Sequence, residues 1–256
     1  MKSQAVTQAQ LLVTCIVDSV FPAVGEAVVS VLERLGVEVV FPEAQTCCGQ
    51  PAYNSGFQAE ARRLALHTLA VLERSPAPVV IPSGSCAAMV VKGYPHLFAD
   101  EPTLRARAEA LAARTYEFSQ FLTEVLCVDP AALAASTPAG KYTYHAACHL
   151  LRELGVRDSA PRLLGALPGL DLVPLPGEDQ CCGFGGLFAV KHNAISAAML
   201  DKKLSNVRTT GAGTVVACDM SCLMHMQGGL ARDGAATRCA HLAEVLAEAL
   251  TDERHA

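Results

Sequence analysis

The chain has 256 residues, 51% hydrophobic and 18% charged, with a net charge of −5. That balance excludes a disordered chain, and the absence of any Lys/Arg stripe argues against nucleic acid as a partner. Eleven cysteines are an odd number and fit a closed disulfide framework poorly, so metal binding or catalysis is the better expectation. No stretch approaches the roughly 18 apolar residues of a transmembrane helix. Met1–Gln10 has no signal-type core after it, and a cytoplasmic, reduced protein is expected.

In chain order, Leu11–Val17 is a short β-branched apolar run and reads as a buried strand ending near Cys15. A helix is expected from Pro22 to Leu35, opened by proline and stopped at Gly36. Val37–Phe41 reads as a strand, followed by the turn Cys47-Cys48-Gly49. Phe57–Glu73 is helical, with Leu64, Leu66, Leu69 and Leu72 as a core stripe. Val79–Ile81 is a strand leading to Gly84-Ser85-Cys86, and a helix follows over Ala87–Lys92. A polar, Ala-rich helix spans Thr103–Phe118, and Phe121–Leu126 continues helical.

The plan then restarts. Lys141–Tyr144 is a strand running towards Cys148, Ser159–Leu167 a helix, and Leu170–Leu175 a strand before Cys181-Cys182-Gly183. Lys191–Val207 is helical, Thr214–Val216 a strand, and Cys222 opens a further helix. Phe121–Leu126 is echoed by His241–Leu246. Alternating strands and helices predict an α/β fold of two pseudo-symmetric halves with parallel sheets. The expected domains are 1–130 and 140–256, joined by a linker that begins at Pro130 and is rich in Ala, Ser, Thr and Pro.

The cysteines repeat with the halves. Between Cys15 and Cys47 lie 31 residues, and 37 lie between Cys48 and Cys86; the second half has 32 between Cys148 and Cys181 and 39 between Cys182 and Cys222. Adjacent cysteines on a strand point to opposite faces, so two that serve one site need an irregular turn, which the following glycine permits. Each cysteine follows a strand, and the carboxyl ends of parallel strands are where sites assemble. Four thiols per half can therefore converge: Cys15, Cys47, Cys48 and Cys86 in the first, Cys148, Cys181, Cys182 and Cys222 in the second. Four thiolates suit zinc or an iron–sulfur cluster, and spacing alone does not choose between them. Buried thiols can also be plain small hydrophobes, but packing does not require a cysteine pair before glycine twice. Cys218 is a further candidate ligand, although the repeat matches Ser221-Cys222 to Ser85-Cys86. Cys127 and Cys239 read as structural.

Other residues carry weaker signals. His145 and His149 flank Cys148; each is a candidate ligand or donor to the site, against the simpler reading of a hydrogen-bonded strand-end histidine. Arg152 and Lys191 read as exposed helix charges or as a carboxylate or charge-balancing contact. Gln50, Asn54 and Ser55 are either hydrogen-bond donors to the first turn or plain polar loop. Tyr53 and Phe184 are read as shielding the sites from water. The run Gly183-Phe184-Gly185-Gly186 lacks the spacing of a dinucleotide fingerprint.

The runs Val13-Thr14-Cys15-Ile16, Cys47-Cys48-Gly49-Gln50-Pro51-Ala52, Gly84-Ser85-Cys86, Tyr144-His145 before Cys148, Cys181-Cys182-Gly183-Phe184-Gly185-Gly186 and Ser221-Cys222-Leu223 resemble the cysteine-rich CCG family over nearly the whole chain. Within it, the cysteine-rich subunits of three-part L-lactate oxidation (lactate utilization) complexes are the nearest in pattern. The resemblance implies a non-catalytic electron-transfer subunit with a 4Fe-4S type cofactor, or zinc as the alternative in one or both halves. It implies two partners, a ferredoxin-like 4Fe-4S subunit and a third subunit. Glycolate oxidase and heterodisulfide reductase subunits belong to the same wider family. The reductase type carries five cysteines per motif, ending in C-x-x-C. Here Ser83 and Asp219 stand where the first cysteine of that pair would be, so each half keeps four.

Overall fold

The computed structural model describes residues 6–129 and 139–250. The linker expected near 130–140 falls mostly on residues 130–138, outside the described ones.

The first half runs β1 (Gln8–Leu11), α1 (Cys15–Val20), α2 (Pro22–Arg34), β2 (Glu38–Val40), α3 (Gln50–Asn54), α4 (Gln58–Leu72), β3 (Val79–Ile81) and α5 (Gly84–Ala88). A π-helical turn at Met89–Gly93 follows, then α6 (Tyr94–Leu97), α7 (Pro102–Ala112), β4 (Thr115–Glu117), α8 (Phe118–Gln120) and a second π-helical turn at Phe121–Val125. The second half repeats this with β5 (Gly140–Tyr144), α9 (Cys148–Arg152), α10 (Ser159–Gly165), β6 (Leu170–Leu172), α11 (Leu187–Lys191), α12 (Asn193–Thr210), β7 (Thr214–Ala217), α13 (Met220–Arg232), β8 (Arg238–His241) and α14 (Leu242–Leu250). Two parallel four-stranded sheets result, in the orders β2-β1-β3-β4 and β6-β5-β7-β8.

The halves superpose in register as well as in order. Leu11 pairs with Val80 as Tyr144 pairs with Val216. One residue on, the amides of Leu12 and His145 donate to the carbonyls of Val80 and Val216. The buried stripe of α4 is Ala61, Ala65, Thr68, Leu69 and Leu72. The stripe of α12 is Ser196, Leu200, Lys203, Leu204 and Val207, at constant spacing from its counterpart.

Three details differ from the sequence expectations. The apolar run Leu11–Val17 is not one strand: β1 ends at Leu11 and a helix begins at Cys15. Thr14 makes the break at φ 74° and ψ 146°, a region that a β-branched residue occupies only under strain. The helix expected over Thr103–Phe118 stops at Ala112, and Thr115–Glu117 is the edge strand β4. Its counterpart β8 was likewise not anticipated. Both are short edge strands held through backbone pairing to β3 and β7, which leaves little side-chain pattern to read.

The halves exchange their last helices. α14 packs on α2 of the first half, while α8 and the following π-helical turn pack on α10 of the second. One apolar cluster accordingly runs through both, taking Val28 and Leu32, Phe121 and Leu122, Leu163 and Leu164, and Val245 and Leu246. Full burial of such a side chain contributes about 1.5–3 kcal/mol, so these crossed contacts weld the halves together. A second cluster around Leu12, Leu69, Ile81, Tyr94 and Phe98 is built from the first half.

Candidate metal centres

Each sheet delivers its thiols from the carboxyl ends of three strands. Cys15 and Cys148 sit in the first turns of α1 and α9, Cys86 and Cys222 in the first turns of α5 and α13, and the cysteine pairs in the loops after β2 and β6. The loops turn at Gly49 (φ 89°) and Gly183 (φ 94°), both left-handed. Gly183 is also pressed against the helix below: a Cβ there would come within 2.5 Å of the Ser196 carbonyl oxygen, and at Gly49 within 3.3 Å of that of Ala61. The glycines thus let the paired thiols lie against α4 and α12.

In the first half the thiols form a chain of contacts, Cys15 to Cys47, Cys47 to Cys48 and Cys48 to Cys86. The Cys15 and Cys47 Sγ atoms are 3.6 Å apart. The second half repeats the chain as Cys148, Cys181, Cys182 and Cys222. The inner thiols Cys47 and Cys181 accept from both neighbours, which favours their thiolate form. The Gly183 amide adds a further donor to Cys181, at 3.4 Å. Their neighbours are pushed the other way, first by hydrogen bonding to the thiolate and then by burial.

Both chains open on one cavity of about 330 Å³ between the halves. Seven of the eight thiols line it, all but Cys47, together with apolar side chains including Phe184, Phe188, Met199 and Met220. A larger groove of about 690 Å³ lies over α2 and Phe41 and contains no thiol; it is not this site.

Ser83 and Asp219 meet across the halves. Ser83 Oγ donates to Asp219 Oδ2 at 3.2 Å and the Ser85 amide donates to the same oxygen at 3.0 Å. Each also caps its own helix: Ser83 Oγ accepts from the Cys86 amide and Asp219 Oδ1 from the Ser221 amide. The two positions that lack the extra cysteine of the reductase pattern therefore hold the helices carrying Cys86 and Cys222 against each other.

The surroundings of the two chains are unequal. Beside the second stands His145, fully buried. A ring nitrogen of His145 and the Sγ atoms of Cys182 and Cys222 lie within 4.8 Å of one another. Burial, with the Lys203 ammonium adding to it, pushes the His145 imidazole down to about 4. Lys203 is 1% exposed; its Nζ donates to the carbonyls of Gly177 at 2.6 Å and Glu178 at 3.3 Å. The matching positions in the first half are Leu12 and Thr68.

The remaining sequence candidates fall into place around this. His149 is half-buried, its Nδ1 3.6 Å from Cys148 Sγ and its Nε2 3.7 Å from Glu153. Cys218 lies fully buried beside the Tyr144 hydroxyl, 3.9 Å away, and does not line the cavity. Gln50 reaches the Ser85 carbonyl at 2.9 Å, so it ties the first turn to α5, and Asn54 lines the cavity. Ser55 bonds only within its own turn, to the Pro51 carbonyl. Phe184 does line the cavity, whereas Tyr53 stands outside it, against His96. Arg152 and Lys191 are exposed. Cys127 is exposed and Cys239 half-buried. Lys203 was missed from the sequence. Aligning the α4 and α12 stripes would have found it, as a lysine at a core position where the other copy has threonine.

Four thiols linked in a chain of contacts, with one favoured as thiolate, are a donor set that fits a thiolate-held metal or cluster in each half. Comparisons with known proteins give the family. Residues 9–91 and 142–227 match the profile of the cysteine-rich domain CCG. A lactate utilization protein A from Exiguobacterium sp. is 47% identical over 239 residues, covering 93% of this chain and 96% of its own. One from Geobacillus kaustophilus is 48% identical over 236 residues, covering 92% and 97%. The crystal structure of a hypothetical protein from Helicobacter pylori aligns over 97% of this chain at a TM-score of 0.67 and 10% identity, and the match spans 50% of that longer chain. At that identity it shows the fold alone.

Proposed function

The chain belongs to the cysteine-rich CCG-domain family, and we propose that it is the iron–sulfur electron-transfer subunit of an L-lactate oxidation complex. The observation that carries this is the pair of four-thiol chains facing one apolar cavity, in a chain whose relatives are named for lactate utilization. The halves 1–130 and 140–256 are its two cysteine-rich domains. Cys15, Cys47, Cys48 and Cys86 would hold one cofactor, and Cys148, Cys181, Cys182 and Cys222 the other.

A thiolate-bound iron–sulfur group supplies one-electron transfer when it is bound. The chain's own residues fix the ligands and exclude water. Gly49 and Gly183 allow the tight turns, and Ser83 with Asp219 clamps the helices that present Cys86 and Cys222. Phe184 and Phe188 cover the second site. Oxidation of the 2-hydroxy acid itself belongs to partners, a ferredoxin-like 4Fe-4S subunit and a third subunit. No helix among the described residues is long and apolar enough to cross a membrane, and we place the complex in the cytoplasm.

The test is iron, sulfide and zinc content of anaerobically purified protein, with an electron paramagnetic resonance spectrum after reduction. Roughly four iron per occupied half, with a signal that appears on reduction, is the expected result. Absence of both iron and acid-labile sulfide rejects electron transfer by this subunit. One observation favours a second reading, a zinc-holding structural subunit of the same complex. Two thiolates on one tetrahedral zinc at about 2.3 Å stand roughly 3.8 Å apart, and Cys15 and Cys47 are 3.6 Å apart. Stoichiometric zinc without visible absorbance would support that reading.

A further inference from the structure

The His145 ring has one committed nitrogen and one free one. Nδ1 faces the Glu178 carbonyl oxygen at 3.2 Å. A carbonyl only accepts, so Nδ1 carries the proton and donates it there. In the neutral ring Nε2 is then a bare lone pair. It is buried and has no hydrogen-bond partner, an arrangement that is costly unless something meets the lone pair. The ring stands within reach of Cys182 and Cys222 Sγ. A histidine beside two thiols that gives one N–H to a backbone carbonyl and keeps its other nitrogen unpartnered has the arrangement typical of metal-ligating imidazoles.

Lys203 secures the arrangement from behind. Its Nζ donates to the same Glu178 carbonyl and to that of Gly177. The loop that orients the imidazole is thereby pinned to α12, and a fixed positive charge stands on the Nδ1 side of the ring. Neither device has a counterpart in the first half, where Leu12 and Thr68 occupy the equivalent places. The other histidines near the sites are engaged differently: His149 lies between Cys148 and Glu153, and His225 Nε2 contacts Ser196 Oγ at 3.4 Å.

We infer that His145 ligates the metal of the second site through Nε2, so that this site is a mixed thiolate–imidazole centre while the first is all thiolate. The inference rests on the reading that the second site holds a metal. A neutral imidazole ligand contributes no negative charge, and histidine ligation raises the potential of an iron–sulfur centre. The second site would thus be the more easily reduced of the two.

The experiment uses the full chain, purified anaerobically from cells fed histidine labelled with nitrogen-15 in the imidazole. For iron-loaded protein the readout is pulsed electron paramagnetic resonance of the reduced form. For zinc-loaded protein it is X-ray absorption, with a nitrogen neighbour at about 2.0–2.1 Å. The expected result in the unmodified protein is a directly bonded histidine nitrogen, lost in His145→Ala and kept in His149→Ala. The labelled unmodified protein answers even if His145→Ala fails to fold. A metal-loaded second site with no histidine nitrogen overturns the inference and leaves the metal reading standing, as does a nitrogen signal that survives His145→Ala. A second site empty of metal on analysis of the same samples overturns both.

Discussion

The two halves share a backbone plan and differ in what that plan encloses. Strand order, loop glycines and the four-thiol chain recur in both. The positions facing the thiols do not: Leu12 and Thr68 in the first half become His145 and Lys203 in the second. Strain is also unequal, since Thr14 before Cys15 sits at φ 74° while Ala147 before Cys148 is in ordinary extended backbone at φ −62°. The difference teaches that a duplicated fold fixes where thiols meet, and that a few core positions then set how each site behaves. Leu12 and Thr68 carry no charge to balance the thiolates, whereas the buried Lys203 ammonium stands near Cys181, Cys182 and Cys222 and offsets theirs.

The largest test of the comparison is removal of one inner ligand at a time. Cys48→Ser and Cys182→Ser are each expected to release the metal of their own half, about half the total, and to lower the melting temperature, since metal binding energy is folding energy. Metal analysis with thermal denaturation reads both. Unchanged content in both variants would show that these thiols are not ligands.

A smaller effect separates the two glycine turns. Gly183→Ala forces a side chain into left-handed backbone and against the Ser196 carbonyl oxygen, and roughly 3 kcal/mol or more of stability should be lost. Gly49→Ala meets the same backbone cost with a looser contact, so about 1–2 kcal/mol is expected. Equal losses in chemical denaturation would remove the packing difference between the turns.

The smallest effect is in pH dependence, at the strand ends that carry the exchanged helices. Glu117 ends β4 and His241 ends β8, and both are fully buried. Each accepts from a backbone amide two residues on, Ser119 for Glu117 and Ala243 for His241. Burial raises the Glu117 carboxyl to about 7 and lowers the His241 imidazole to about 4. A raised carboxyl gives stability that is complete below its unfolded value and is lost as pH rises to about 7. A lowered imidazole gives stability that is present above its unfolded value and is lost as pH falls towards 4. The two contributions oppose each other between about pH 4.5 and 6.5, so Glu117→Gln should remove a loss on the order of 3 kcal/mol between about pH 4.5 and 7 and leave the His241 contribution uncompensated, making stability rise with pH more steeply in the variant than in the unmodified protein. Denaturation midpoints across that range would show it. An unaltered profile would mean that Glu117 titrates normally.

By itself the sequence determined the eight thiols, their division into two sets and the two parallel sheets, because equal spacing and strand-end position follow from covalent order. It also marked His145 as a neighbour of Cys148. The edge strands Thr115–Glu117 and Arg238–His241 were not legible, since short strands held by backbone bonds show little side-chain period. The true end of β1 at Leu11 was hidden for the opposite reason: the residues after it are buried too, so hydrophobicity continues where the strand does not. Only the tertiary structure decided that the last helices cross over, that both thiol chains open on one cavity, and that Ser83 meets Asp219. It alone gave the His145 ring its direction and set Lys203 behind it. Those facts depend on residues far apart in the chain and on which atom of a ring meets a carbonyl, and neither local pattern nor spacing carries that information.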